Sequence, residues 1–207
     1  MSRGRLITIE GLDGAGKSTL VQALTEELVR RGLSVEAMRE PGGVEASERI
    51  RALVKDAALQ MGGRAEALLY AAARAQLVRE RLRPALEAGS IVLLDRFTDS
   101  SLAYQGAGRE LGMQEVAAIN RFATAGLVPD RTLLLRIDPA AGRERQRGRA
   151  LAPDRLELEE EAFFARIARG YDELAQAEAQ RIRVLDASLP QEELLREALA
   201  AIDDLLR

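Results

Sequence analysis

Hydrophobic residues along this 207-residue chain follow two alternating rhythms. Short runs rich in Val, Ile and Leu occur at 6–10, 34–39, 90–95, 131–138 and 181–186, with the length and composition of buried strands. Between them lie longer stretches of helical spacing, near 17–31, 46–58, 64–88, 112–126, 157–178 and 190–206. In the first of these, Leu20, Val21, Leu24, Leu28 and Val29 are expected on one helix face. Strand–helix alternation predicts an α/β fold, a five-stranded parallel sheet with helices on both faces. Right-handed crossovers would bring every strand's C-terminal end to one edge, where ligands bind in open sheets. The sequence shows no internal repeat and no low-complexity linker, and its length suits one domain over 1–207.

Composition narrows the chemistry. A formal net charge of −3 argues against a partner that is a nucleic-acid polymer held on a general basic surface. There is no cysteine, which excludes disulfides, thiol nucleophiles and zinc–thiolate sites. There is no histidine either, which excludes imidazole bases, Ser-His-Asp triads and His-metal sites. The apolar runs are too short to span a membrane and residues 1–10 lack a signal-peptide pattern, so a soluble, cytoplasmic protein is expected.

After the first strand run comes Gly11-Leu12-Asp13-Gly14-Ala15-Gly16-Lys17-Ser18-Thr19, which fits G-x-x-x-x-G-K-[ST] between a predicted strand and a predicted helix. In that setting backbone N–H groups converge on nucleotide phosphates and the helix N-terminus adds partial positive charge. Lys17, one of only two lysines in an arginine-rich chain, would reach the β/γ-phosphates, and the Ser18 hydroxyl would ligate Mg²⁺. The second strand run ends at Arg39-Glu40-Pro41-Gly42-Gly43, a turn that either aims Arg39 at the phosphate edge or leaves it on the surface. The third ends at Asp95-Arg96; Asp95 is placed to serve Mg²⁺, and Arg96 either forks onto a phosphate or forms a surface ion pair. Residues 142–156, dense in arginine, read either as a solvated helix end or as a lid closing over the transferring phosphates.

These groups suit phosphoryl transfer to an acceptor that needs no base. A phosphomonoester has a second pKa of about 6 and is already largely dianionic at pH 7, so several cations, Mg²⁺ and no histidine match it better than a hydroxyl acceptor. A GTPase is disfavoured, because N-K-x-D is missing and no D-x-x-G follows the third strand.

GLDGAGKST, REPGG, DRF and SSLAYQG, in this order and spacing, together with LLYAAARAQL, RPALEAG and VLDA, resemble the bacterial thymidylate kinases from about residue 6 to 186. The resemblance implies ATP as donor, Mg²⁺, dTMP as acceptor and a homodimer; another pyrimidine nucleoside monophosphate kinase is the alternative. It implies that Arg39 and Arg96 grip the dTMP phosphate, and that Asp13 contacts the 3′-hydroxyl. Arg74 would read the thymine edge with Ser101 and Gln105, and Tyr104 would lie against the sugar. Tyr70 stands where the family usually has a stacking Phe, and DRF replaces the commoner DRY. With Gly14 and Ala15 rather than arginine in the loop, the catalytic arginine is expected from the lid, with Arg145, Arg147 and Arg149 as candidates and Arg149 favoured; Arg155 is in reach.

Overall fold

A computed structural model describes residues 3–147 and 154–206. Strands β1 (Arg5–Gly11), β2 (Val35–Arg39), β3 (Ile91–Asp95), β4 (Arg131–Arg136) and β5 (Ile182–Asp186) form one parallel sheet in the order β2-β3-β1-β4-β5. Alternation along β1 explains how the sheet is covered on both sides. Ile7 and Ile9 point to one face, where they meet Leu20, Leu24 and Leu28 of α1 (Lys17–Arg30) and Ala198 and Ile202 of α9 (Gln191–Ile202). Leu6 points to the other face, with Val92 and Leu94, against Leu77, Leu82, Leu86 and Phe97. On that same side Leu134 packs on Phe163, Ile167 and Tyr171 of α8 (Glu161–Ala177). Full burial of a side chain such as Leu24 contributes about 1.5–3 kcal/mol relative to exposure. Val29 does not join that face; it lies beyond the buried arc of α1 and is 53% exposed.

The remaining helices are α2 (Glu45–Lys55), α3 (Gly63–Leu77), α4 (Arg83–Glu87), α5 (Thr98–Ser101), α6 (Met113–Ala123) and α7 (Pro139–Arg147). The expected helix over 64–88 is present with a change of pitch. Its turns widen to π geometry over Val78–Leu82 before Pro84 enters at the start of α4, where a proline lacks the donor that a regular α-helix would use. A second π stretch, Leu102–Gly108, continues α5, so the polar SSLAYQG segment is helical and mostly buried. Part of the arginine-rich 142–156 segment is helical too, as α7. Among the described residues no helix is long and apolar enough to cross a membrane.

Parallel pairing sets the site. The register Ile9↔Asp95 and Arg39↔Asp95 aligns the ends of β1, β3 and β2 at one edge, beside the loop that leads into α1.

Candidate active site

Lys17 opens α1 directly after Gly16, whose φ of 92 turns the chain out of the loop. Its buried ammonium donates to the Gly11 and Leu12 carbonyls at 3.2 and 2.8 Å, with Asp13 Oδ1 at 3.9 Å. Burial pushes this lysine down to about 8, helped by the charge of Arg96 and resisted by Asp13, Asp95 and Glu10. One residue on, the Ser18 hydroxyl donates to Asp95 Oδ2 at 2.6 Å. The loop and the third strand end thus place two hard oxygen donors side by side.

Arg96 is held from all sides. Its backbone has φ 69, uncommon for a non-glycine residue, and is fixed by an N–H donated to Ile9 O at 3.0 Å. Nη1 donates to Gly11 O and Ser100 Oγ, both at 3.0 Å; Nη2 donates to Asp13 Oδ1 at 2.6 Å and Tyr104 OH at 3.0 Å. The Tyr104 hydroxyl donates in turn to Asp13 Oδ2 at 2.9 Å. Burial works to raise the Asp13 pKa, but the Arg96 and Lys17 charges prevail and hold it well below the usual carboxylate range. Beneath lies Glu10, fully buried, accepting from Phe97 N–H at 2.7 Å, Ser100 Oγ at 2.5 Å and Tyr171 OH at 3.1 Å. Burial, and then the Asp99 charge, raise its pKa.

Arg39 lines the same cleft but is engaged differently, giving Nη2 to both carboxylate oxygens of Glu48 at 2.9 and 3.1 Å. Arg51, not singled out in the sequence, also faces the cleft, with Nη1 on Pro41 O at 2.9 Å. The second lysine, Lys55, lines it as well and pairs with Asp154 at 2.6 Å.

At the far end Arg74 is almost fully buried. It donates Nε to Glu40 Oε2 at 2.7 Å, Nη1 to Ser101 Oγ at 2.9 Å and to Asn120 Oδ1, and Nη2 to Phe97 O at 2.9 Å. Burial raises Glu40 to about 7 against the pull of Arg74, and its Oε1 is buried with no hydrogen-bond partner among the described residues. Tyr70 lines this end, its hydroxyl pKa raised by burial and by Glu66. Gln105 lines it too, with Nε2 donated to Glu66 Oε1 at 2.8 Å.

The structure therefore brings Asp13, Gly14, Gly16, Lys17, Ser18, Thr19, Arg39, Tyr70, Arg74, Asp95, Arg96, Ser101, Tyr104 and Gln105 to one cleft. Gly11, Leu12 and Ala15 are buried in the loop that walls it. Arg149 lies outside the described residues, as does the side chain of Arg147. Arg145 is directed elsewhere, donating to Ala187 O at 3.1 Å, and Arg155 reaches Glu66 at 2.5 Å. Glu10, Glu40, Glu66, Arg51 and Tyr171 escaped the sequence reading. Glu10 carried a signal, since an acid inside a run of strand residues on the buried face demands partners.

A model of the thymidylate kinase family matches residues 9–198. The thymidylate kinase of Deinococcus radiodurans is 48% identical over 204 residues, covering 99% of this chain and 98% of its own. That of Geobacillus thermodenitrificans is 48% identical over 201 residues, covering 96% and 89%. That of Alkalilimnicola ehrlichii is 47% identical over 205 residues, covering 97% and 94%. Similarity of this extent, over a parallel sheet whose loop carries Lys17, shows that the chain belongs to the thymidylate kinase family.

Proposed function

We propose that this chain transfers the γ-phosphoryl group of ATP to dTMP, giving dTDP. The observation that carries the reading is one continuous cleft, running from Lys17 and Ser18, past Arg39 and Arg96, to Arg74 and Gln105. One end suits a triphosphate, the middle a phosphomonoester and the far end a planar base with polar edges.

The loop N–H groups and Lys17 hold the donor phosphates; Lys17 exchanges its bonds to the Gly11 and Leu12 carbonyls for phosphate oxygens. Arg96 and Arg39 hold the acceptor phosphate, Arg39 leaving Glu48 to do so. Asp13, kept ionised by Arg96 and Lys17, accepts from the 3′-hydroxyl. The Tyr104 ring, pinned 4.8 Å from the Arg96 guanidinium carbon, lies against the sugar, where a 2′-hydroxyl would be desolvated without a partner. Tyr70 stacks on thymine, and Arg74, Ser101 and Gln105 face its edge. Arg149 arrives from the lid to meet the charge on the transferring group and helps to exclude water.

The donor set fits Mg²⁺. Ser18 and Asp95 oxygens converge at 2.6 Å beside the loop, and among the described residues no cluster of three or more acidic side chains could hold an ion by itself. Ser18 and Asp95 would hold the ion together with phosphate oxygens of the nucleotide. Held there, the ion would supply positive charge to offset that of the donor phosphates. The cytoplasm is the proposed compartment, and a homodimer is supported by exposed apolar side chains on neighbouring helices: Leu53 of α2, Leu68 of α3 and Phe122 of α6, the last 90% exposed.

Product analysis tests the reading. With ATP, Mg²⁺ and dTMP, one dTDP and one ADP should form per ATP consumed. Release of inorganic phosphate without dTDP would reject it.

A further inference from the structure

Glu66 lies on α3, a turn before the cleft-lining Tyr70, and its carboxylate is 0% exposed. It takes no part in phosphate binding as described above. Its Oε2 receives Arg109 Nη2 at 3.0 Å and Arg155 Nη2 at 2.5 Å, while Oε1 receives Gln105 Nε2 at 2.8 Å. Two guanidinium groups therefore hold an acceptor-only group against a side-chain amide that lines the cleft.

That contact dictates which end of the amide meets a ligand. A carboxylate offers only lone pairs, so Gln105 must turn its NH₂ inward, which leaves Oε1 for the cleft. Turning the amide over would set two acceptors face to face in a buried position, with nothing to relieve them. Arg74, across the same pocket, has four of its five N–H groups on protein acceptors, and the remaining one is on Nη2. The pocket thus presents an acceptor from Gln105 and a donor from Arg74.

We infer that Glu66 is a positioning residue for base selection: by fixing the Gln105 amide, it makes the pocket complementary to a 2,4-dioxopyrimidine and hostile to a 4-aminopyrimidine. A dioxopyrimidine offers N3–H to Gln105 Oε1 and a 4-carbonyl to Arg74. A 4-aminopyrimidine offers a lone pair at N3 and a donor at the 4-position, so both contacts become repulsive. The inference rests on the proposed dTMP kinase reading.

Glu66→Gln tests it. Arg109 and Arg155 would claim the single remaining carbonyl, so the new NH₂ faces Gln105, which then presents its own NH₂ to the cleft. With wild type and variant assayed on dTMP, dUMP and dCMP, kcat/KM for dTMP and dUMP should fall together with their ratio unchanged. The dTMP:dCMP ratio should fall by about tenfold or more. A uniform loss on all three substrates overturns the inference, since that is what structural damage alone produces. Should Glu66→Gln not fold, Gln105→Met, which leaves the Glu66–arginine pairs intact, tests the amide contact on which the inference depends. It should also lose the dTMP:dCMP discrimination, and retention of that discrimination overturns the inference. Wild-type protein with no dTMP activity would instead sink the functional reading, so the two failures are distinguishable.

Discussion

Gly14 sits where the phosphate loop touches α7, the helix that leads into the proposed lid, and a single methyl group there should uncouple them. Its φ is +81, and an added Cβ would lie 2.1 Å from the Gly142 carbonyl oxygen in α7. Loop and helix would have to part by about 1 Å or more to restore van der Waals separation. Gly14→Ala therefore adds two costs: left-handed strain of about 1–2 kcal/mol, and displacement of the lid from the loop. Gly32→Ala isolates the first cost, because Gly32 has φ +83, open space around it and a place at the far end of α1. For a chain of this size 1 kcal/mol lowers Tm by about 2–4 °C. Gly32→Ala should thus lose about 2–8 °C with turnover unchanged. Gly14→Ala should lose at least as much, and its kcat/KM for dTMP should fall by about 100-fold, the scale expected for a 1 Å misplacement of reacting groups. Thermal unfolding and a coupled ADP-release assay on the three proteins read both quantities. Turnover of Gly14→Ala within twofold of Gly32→Ala would refute the claim that this contact positions the lid.

Lys17→Met should lower kcat by about 10²–10³-fold while leaving the circular dichroism spectrum unchanged, because the ammonium bonds loop carbonyls rather than filling the core. In the wild type, kcat/KM for ATP should decline above about pH 8 as Lys17 loses its proton, and a flat profile through pH 9 would contradict the assigned charge. Glu40 has a folded pKa raised from 4.5 to about 7, so the folded state binds the extra proton. Its contribution is fully present below pH 4.5 and is lost as pH rises towards 7. Urea unfolding from pH 4 to 8 should therefore show a smaller loss of stability across that window in Glu40→Gln than in wild type.

The fold was legible because β1, β3 and β4 are short and buried on both faces, so their apolar residues run close together, a pattern that a solvent-facing helix does not produce. Lys17, Ser18, Asp95 and Arg96 were legible because strand ends and a glycine loop must meet at one edge of a parallel sheet. What escaped depended on pairing across the tertiary structure. Glu66 within RAEALLYAA looks like a solvated helix position, and only Gln105, Arg109 and Arg155, distant in sequence, make its burial tolerable. Arg74 was singled out in the sequence, but its buried partner Glu40, 34 residues away, escaped for the same reason. Arg51 was hidden because the apolar positions of α2 mark the side that packs, whereas nothing in the sequence says which of its several polar positions lines the cleft. Val29 was misplaced because the apolar stripe of α1 is wider in sequence than the arc the sheet covers.

The central claim is that the middle and far end of the cleft select thymidine monophosphate as acceptor. Its most direct test is kcat/KM for dTMP, dUMP, UMP, CMP, AMP and GMP under one saturating ATP concentration with Mg²⁺. dTMP should lead, with the ribonucleotides disfavoured by Tyr104 and the 4-aminopyrimidine CMP disfavoured further by Gln105. A higher value for any other acceptor would contradict it.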